Sequence, residues 1–484
     1  MPDFTQYQPP GVYFTEEETP LVAALGPLPT AVVLVGPSVG YRTFTELVTL
    51  SGTTDVRLTK LGIDQGSIVV MSLDGLTTYV DTVDYNLTEG AGEDASLLTT
   101  QDNTTDIARD GGGAIADPET VRVSYQYTDA AYFQPLTVSD FDRVKEAYGQ
   151  PFDTQTGEIL SPLSMAAKFA FDNGAARLVL VASEGTPSAV TRTQLTDAYE
   201  QIESLYDVAI VVPLPVGITG TDMAPGDVIN VGTDLKTHVE GLSGDGYFRV
   251  GIVGYEKTVT VDPEDISGGI NSSRVMFAYP NKMNYYNGFS NTVIEVSGYY
   301  LAAAYAGRFA SLPSQQALTK KDIRGFSGIP ADVFATMTQA NKNLWSSSGV
   351  SVVEINRQNR LVNRHGVATD PSNVLTREFS LTRAKDEMVR LLTDMLDNSG
   401  LIGSPITANT PVQVRSVVQG GLESLVKAGT INGYREIKVR QQLGEEGGDP
   451  TVMEVKFLYS PAYPLNYVLV TFAIDTTTGA TTFA

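Results

Sequence analysis

The chain has 484 residues, with 33 Lys and Arg against 56 Asp and Glu, 2 His and no Cys, and a formal net charge of −23. The missing cysteines exclude disulfides, thiolate metal sites and a Cys nucleophile, while so acidic a chain is a poor phosphate binder, which argues against direct nucleic-acid binding. At ~150 residues per domain the length predicts roughly three domains, and 42% apolar residues supply enough core for them to fold.

Residues 1–29 carry Pro2, Pro9, Pro10, Pro20, Pro27 and Pro29 around one short β-like segment, Gly11-Val12-Tyr13-Phe14-Thr15, followed by Glu16-Glu17-Glu18. Such a stretch has too few apolar residues to form a core of its own. It also lacks the apolar centre of a signal peptide, and no run of ~18 apolar residues predicts a membrane insertion. Thr30–Val35 is a continuous apolar, β-branched run closed by Gly36-Pro37, which predicts a buried strand. From 48 to 135 the texture changes to short alternating runs, among them Ser67–Ser72, Thr77–Val80 and Val121–Tyr127, between Gly, Asp and Asn clusters. That texture predicts a small β domain inserted after the first strand.

An α/β alternation resumes at Ser139, the expected N-cap of a helix over Phe141–Tyr148. A helix over Pro162–Asp172, a strand over Arg177–Ala182, a helix over Thr191–Tyr206 and a strand over Val208–Val212 follow. This order predicts βαβ units and parallel strands, continued by strands near Phe248–Val253 and Arg274–Ala278 and a small-residue helix over Val296–Ser311. Beyond it, Val350–Asn356 and Arg360–Arg364 read as strands, Thr382–Asp397 and Val412–Ala428 as helices, and Tyr434–Gln441, Val452–Tyr459 and Tyr467–Ile474 as closing strands. The fold class is therefore α/β (α+β overall) and multi-domain, a mixed-sheet core with an inserted β domain and an extended arm at each end. The domains divide as 1–29, an arm; 30–47 with 136–345, the α/β middle region; 48–135, the insertion; 346–464, a carboxy-terminal α/β core; and 465–484, a second arm.

The motifs that carry chemistry are sparse. Gly36-Pro37-Ser38-Val39-Gly40 matches the G-x-S-x-G pattern after a strand, with His238 and His365 downstream. Only the proline-rich arm precedes that strand, however, and Pro37 removes a backbone donor beside the serine. Asp262-Pro263-Glu264-Asp265 lacks calcium-loop spacing and reads as a solvated loop. His238, in a polar helix, and His365, in a turn, read as surface residues. Lys320-Lys321-Asp322-Ile323-Arg324 reads as a solvated basic face that could meet an acidic partner. No catalytic residue, metal site or cofactor is expected. Charge is uneven: residues 1–176 hold 8 basic and 25 acidic side chains, whereas residues 320–440 hold 16 and 11. A lone strand at each terminus would leave its backbone N–H and C=O groups unpaired, and pairing with the sheet of another copy would satisfy them.

Four stretches resemble the tail sheath proteins of contractile-tailed bacteriophages and contractile injection systems. They are Pro10-Gly11-Val12-Tyr13 with its acidic continuation; Thr30–Pro37; Ser139–Gly149 together with Leu163–Ala182, including Phe171-Asp172-Asn173-Gly174; and Phe457–Leu465, with its Pro461-Ala462-Tyr463-Pro464 element. Ala175-Ala176 departs from the pattern, where a second glycine is usual, and the insertion is the least transferable part. The resemblance implies a non-enzymatic homo-oligomer of hexameric rings stacked helically around a tail tube protein. It also implies contact with baseplate and tail terminator proteins, assembly in the host cytoplasm and residence in the virion tail. Contraction would drive the tube through the host envelope. The resemblance further implies that Gly11, Val12, Tyr13, Phe14 and Thr15 at one end, and Tyr467, Val468, Leu469, Val470, Thr471 and Phe472 at the other, pair with neighbouring subunits. In that arrangement the insertion faces outward, the 346–464 core faces the tube, and Arg383 and Arg390 are candidate tube contacts. The other readings are an α/β hydrolase using Ser38 and a carbohydrate-binding surface protein built on the insertion.

Overall fold

The computed structural model describes residues 31–89, 104–128, 130–153, 155–219, 226–442 and 449–470. These form two compact units, one from residues 31–313 with Lys321–Phe379, the other from Ser314–Lys320 with residues 380–470. The larger unit is organised by an eight-stranded sheet. Its six parallel strands lie in the order Leu178–Ala182, Ala31–Gly36, Val208–Pro213, Val250–Val253, Val275–Tyr279, Val350–Ile355. Antiparallel Leu136–Val138 and Leu361–Asn363 close the two edges. Every residue of Ala31–Gly36 is buried, as expected for a strand covered on both faces.

Two groups of helices cover the sheet. Pro162–Asp172 packs on Gly298–Ala310, and Gly226–Gly244 packs on Arg192–Glu200 and Pro263–Ile270. The Gly298–Ala310 helix is almost wholly buried, and Gly307 lets its backbone lie against the backbone of Ala170, where any Cβ would collide with the Ala170 carbonyl. Local caps set the helix starts. Asp140, not the expected Ser139, accepts from Arg143 N at 2.8 Å, and Thr191 with Gln194 forms a reciprocal capping box. Asp262–Asp265 is not a loop: Pro263 opens the helix Pro263–Ile270, where its fixed φ and missing N–H are tolerated. The pattern also missed the hairpin Lys282–Asn287/Thr292–Ser297, whose strands lack clean alternation.

The inserted region folds around its own core. Arg42–Leu50, Glu119–Tyr127, Ile63–Ser72 and Thr78–Tyr79 form one antiparallel sheet, and Val56–Arg57, Thr105–Arg109 and Tyr85–Glu89 form a second. Val48, Leu50, Ile68, Val70, Ile107, Val121, Val123 and Tyr125 belong to one buried cluster. Arg42–Leu50 pairs along its whole length with Glu119–Tyr127, so this region begins near residue 42 rather than 48. Likewise Val350–Ile355 and Leu361–Asn363 complete the large sheet, so the second unit takes up the chain at Ser380 rather than at 346. Neither shift is visible in local pattern, because strand pairing across long separations sets both.

In the smaller unit the helices Phe379–Asp397 and Thr410–Ala428 and the antiparallel ribbon Ile431–Gln441/Met453–Pro461 share one core. Met388, Leu392, Val418, Leu422, Ile437 and Phe457 lie at its centre. Both helices begin slightly earlier than expected, at Phe379 and Thr410.

The histidines are not surface residues. His238 Nε2 lies 3.4 Å from Nη1 of buried Arg249, and the ring centroid sits 5.0 Å from that of Tyr199. Arg249 donates to the backbone carbonyls of Ile202 at 3.0 Å and Leu205 at 2.8 Å, in the turn that follows the helix Arg192–Glu200. Burial, with the Arg249 charge adding to it, pushes the His238 pKa from 6.5 down to about 3. His365 is buried as well, its Nε2 2.9 Å from Glu378 Oε1. Long-range packing made both environments, and nothing within a few residues announces them.

Two outcomes follow from this packing. Gly307→Ala should destabilise the chain by about 2–3 kcal/mol through backbone overlap, whereas Gly268→Ala, with nothing near its Cβ, should be neutral or stabilising by about 0.5–1 kcal/mol; denaturant titration measures both. As pH falls from about 6.5 to about 3, His238 takes up a proton only when unfolded, so acid progressively removes the stability that its neutral folded form contributes. Unfolding free energies between pH 7 and 4 should therefore fall less steeply in His238→Gln than in the parent.

Candidate assembly interface

Ser38, the candidate nucleophile, is buried and shares a 2.5 Å hydrogen bond with Tyr132 Oη, which also accepts from Gly40 N at 3.0 Å. Burial pushes the Tyr132 phenol up to about 12, so it is no base for a serine. In an open parallel sheet the ligand crevice lies beyond the strand ends where the chain changes direction, here beside Ala31–Gly36, with Leu178–Ala182 on one side and Val208–Pro213 on the other. The chain fills that place itself. Gly36 O accepts from Ser183 N at 2.9 Å, Pro37 O accepts from Leu163 N at 3.0 Å, and Leu214 packs within 2.6 Å of where a Gly36 Cβ would lie. The hydrolase reading of Ser38 is therefore withdrawn: the motif is the turn by which a buried strand leaves its sheet. Among the described residues no cluster of His, Asp and Glu could hold a metal ion, and no helix is long and apolar enough to cross a membrane.

The basic stretch 320–324 is tied into the fold. Asp322 pairs with Arg360 at 3.2 Å, Arg324 N donates to Asn173 Oδ1 at 2.9 Å, and Asn173 Nδ2 returns a bond to Arg324 O at 3.0 Å. Arg383 does not occupy a surface from which it could touch a tube. It is buried in the smaller unit, where desolvation lowers its pKa to about 10 against the opposing attraction of Glu387 and Asp386. An apolar stripe of Ala384, Met388, Leu391/Leu392 and Met395/Leu396 would leave Arg383 outside the core, but the helix is covered over more of its circumference than that stripe. Arg390 on the same helix is half-buried.

The features suited to assembly lie at the end of the chain. The ribbon strands Ile431–Gln441 and Met453–Pro461 run 11 and 9 residues, and among the described residues no third strand joins either. One ribbon face, with Ile437 and Phe457, covers the helical core; the opposite face carries Arg435, Lys438, Arg440 and Lys456 with Glu436 and Glu454. Glu454 pairs with Arg440 and, at 3.3 Å, with Lys456. Directly beyond the ribbon, Leu465, Tyr467, Val468, Leu469 and Val470 are 73–94% exposed and have no regular secondary structure. Apolar residues this exposed, in sequence, mark a segment made to be covered. Gly11–Thr15, Thr471 and Phe472 lie outside the described residues. Sequence reasoning missed the four ribbon cations; their signal was the basic alternation inside a strand otherwise read only for its apolar positions.

No family model matches the chain. The tail sheath protein of Mycobacterium phage Bxz1 is 34% identical over 427 residues, spanning 87% of this chain and 70% of that one. Two sheaths of known structure share the fold. The helical sheath of the anti-feeding prophage in its contracted state superposes with a TM-score of 0.56 at 13% identity, over 97% of this chain and all of the other. The PVC sheath complex of an extracellular contractile injection system, also contracted, gives 0.53 at 14% identity, over 98% and 99%. An identity of one residue in three along most of both chains, joined to a shared fold from end to end, makes this chain a member of the tail sheath protein family.

Proposed function

We propose that the chain is the structural subunit of a contractile tail sheath, polymerising as stacked hexameric rings around a tail tube. Its work is mechanical rather than enzymatic. The observation that carries this reading is the ribbon Ile431–Gln441/Met453–Pro461, two strands wide and adjoining the exposed apolar stretch Leu465–Val470. Among the described residues no third strand joins the ribbon, a sheet edge is a template for an added strand, and the neighbouring stretch has a β-forming composition. The stretch leaves one copy and adds to the ribbon of the next. Such head-to-tail donation propagates along a helix instead of closing on itself.

In this reading the two compact units move as rigid bodies while the arms, 1–29 and 465–484, tether neighbours. Contraction takes the lattice from a metastable extended packing to a lower-energy one, with no nucleotide consumed, and drives the tube through the host envelope. The unit beginning at Ser380 faces the tube, with Arg390 the remaining candidate contact, and the inserted β region faces outward. Baseplate and tail terminator proteins bound the two ends of the sheath. Subunits assemble in the host cytoplasm and reside in the virion tail.

Deleting residues 1–20, or ending the chain after Pro464, should leave a cooperatively unfolding monomer that forms no tubes, as read by sedimentation velocity and negative-stain microscopy. Normal tubes from either truncated chain would refute strand donation. Intact chain that yields no long hollow cylinders at any concentration would refute the sheath reading itself.

A further inference from the structure

The carboxyl end of the eight-stranded sheet keeps an open place two strands away from the filled turn after Ala31–Gly36. There Val250–Val253 gives way to Gly254-Tyr255-Glu256-Lys257, and the helix Gly298–Ala310 starts against that exit. Two glycines allow the approach. A Cβ on Gly254 would collide with the Gly298 carbonyl, and one on Gly298 would lie 2.8 Å from Asn281 Cα. Gly298 N donates to Tyr255 O at 2.8 Å. Backbones this close bring Tyr299 and Tyr300 beside Glu256. With Pro162, Val296 and Ser297 they line a half-open cavity of about 140 Å³, several times what one water molecule needs.

The polar groups of this wall share one deficiency. The Glu256 carboxylate is held by Ser297 Oγ, by Lys257 N at 3.0 Å, by Gly217 N at 3.3 Å and by Tyr299 Oη at 3.4 Å. These donors orient it without neutralising it: among the described residues no cation stands within ion-pair distance of Glu256. Lys257, on the same wall, turns its Nζ to the Glu295 carbonyl at 3.2 Å, and the Glu295 carboxylate pairs with Lys282 at 3.2 Å. Tyr300 is 1% exposed, and its Oη has no hydrogen-bond partner among the described residues. Burial pushes both phenols well above their ordinary range, so they stay neutral and offer oxygen lone pairs and ring faces. A half-buried carboxylate without a counter-charge and a buried oxygen without a donor are both costly. One kind of group relieves both, a cation that carries N–H donors.

We infer that this cavity is a binding site for a guanidinium or primary ammonium group. The cation sits against Glu256, donates to Tyr300 Oη and lies beside the tyrosine rings, which joins charge-assisted hydrogen bonding to cation–π attraction. Pro162 and Val296 give the methylene stem of such a group an apolar surface to lie on. The same head group is presented by a free alkylamine or alkylguanidine and by a Lys or Arg side chain of a second copy, and the site reads the head, not its source.

The test titrates the full-length, unassembled chain with n-butylammonium and n-butylguanidinium, followed by ligand-observed saturation-transfer NMR, with n-butanol as the neutral control. Both cations should give a saturable response and n-butanol none. Glu256→Gln keeps the size and one acceptor oxygen of the side chain and should weaken binding roughly tenfold. Tyr300→Phe removes only the unpartnered oxygen. It should weaken binding severalfold while the denaturation midpoint holds or rises, a combination that a purely structural tyrosine would not give, and it decides the matter if Glu256→Gln fails to fold. No saturable response to either cation, an equal response to n-butanol, or undiminished binding by a folded variant overturns the inference. Assembled tubes separate the two sources. Loss of probe binding on assembly assigns the site to a side chain of a neighbouring copy, and unchanged binding assigns it to a free cation. If the chain forms no tubes, the sheath reading fails, while the titration of the unassembled chain still decides the site.

Discussion

Every backbone N–H and C=O at the edge of a sheet has to find a partner or remain in water, and this chain treats its edges in two opposite ways. The eight-stranded sheet is closed at both sides by strands of three residues, Leu136–Val138 and Leu361–Asn363. Residues 321–323 seal the second of these, with Asn363 N donating to Lys321 O at 3.1 Å and Ile323 N to Leu361 O at 2.9 Å. Very short, covered edge strands resist further pairing. The carboxy-terminal ribbon is the reverse case, with long strands and no third strand among the described residues. Among the described residues the two sheets thus differ in how their edges are covered.

That contrast separates stiffness from linkage. In the larger unit, continuous apolar strands, the backbone contact between Gly307 and Ala170, and buried Arg249 bonded to the carbonyls of Ile202 and Leu205 leave little freedom to deform. In the proposed assembly the ribbon and the exposed stretch after it supply the groups through which identical copies are joined. Backbone hydrogen bonds suit that purpose in a strongly acidic protein, because they form whatever the side-chain charge.

The same logic explains why the apparent catalytic motif is silent. The turn after Ala31–Gly36 occupies the place where parallel α/β sheets usually bind ligands, and the chain fills it with Tyr132, Leu163, Ser183 and Leu214. A serine held at the end of a buried strand by a phenol of raised pKa is structural. Fold class alone would have suggested a ligand crevice here; the contents of the site do not support a serine nucleophile.

Much of this was determined by the sequence on its own. The run Ala-Val-Val-Leu-Val, the Val-rich strands after it and the helices Phe141–Tyr148 and Pro162–Asp172 were readable, because continuous apolar strands and capped, periodic helices are local signals. The tail sheath resemblance was carried by short motifs at both ends and in the core. Tertiary structure alone decided where the inserted region and the second unit begin, since strands paired across long separations set those limits. It decided that Arg383 and His365 are buried and His238 half-buried, because the elements covering them come from distant parts of the chain. It also decided that Arg435, Lys438, Arg440 and Lys456 share one face, for a one-residue bulge inverts every side chain on one side of it, and strand periodicity by itself assigns Arg435 to the wrong side.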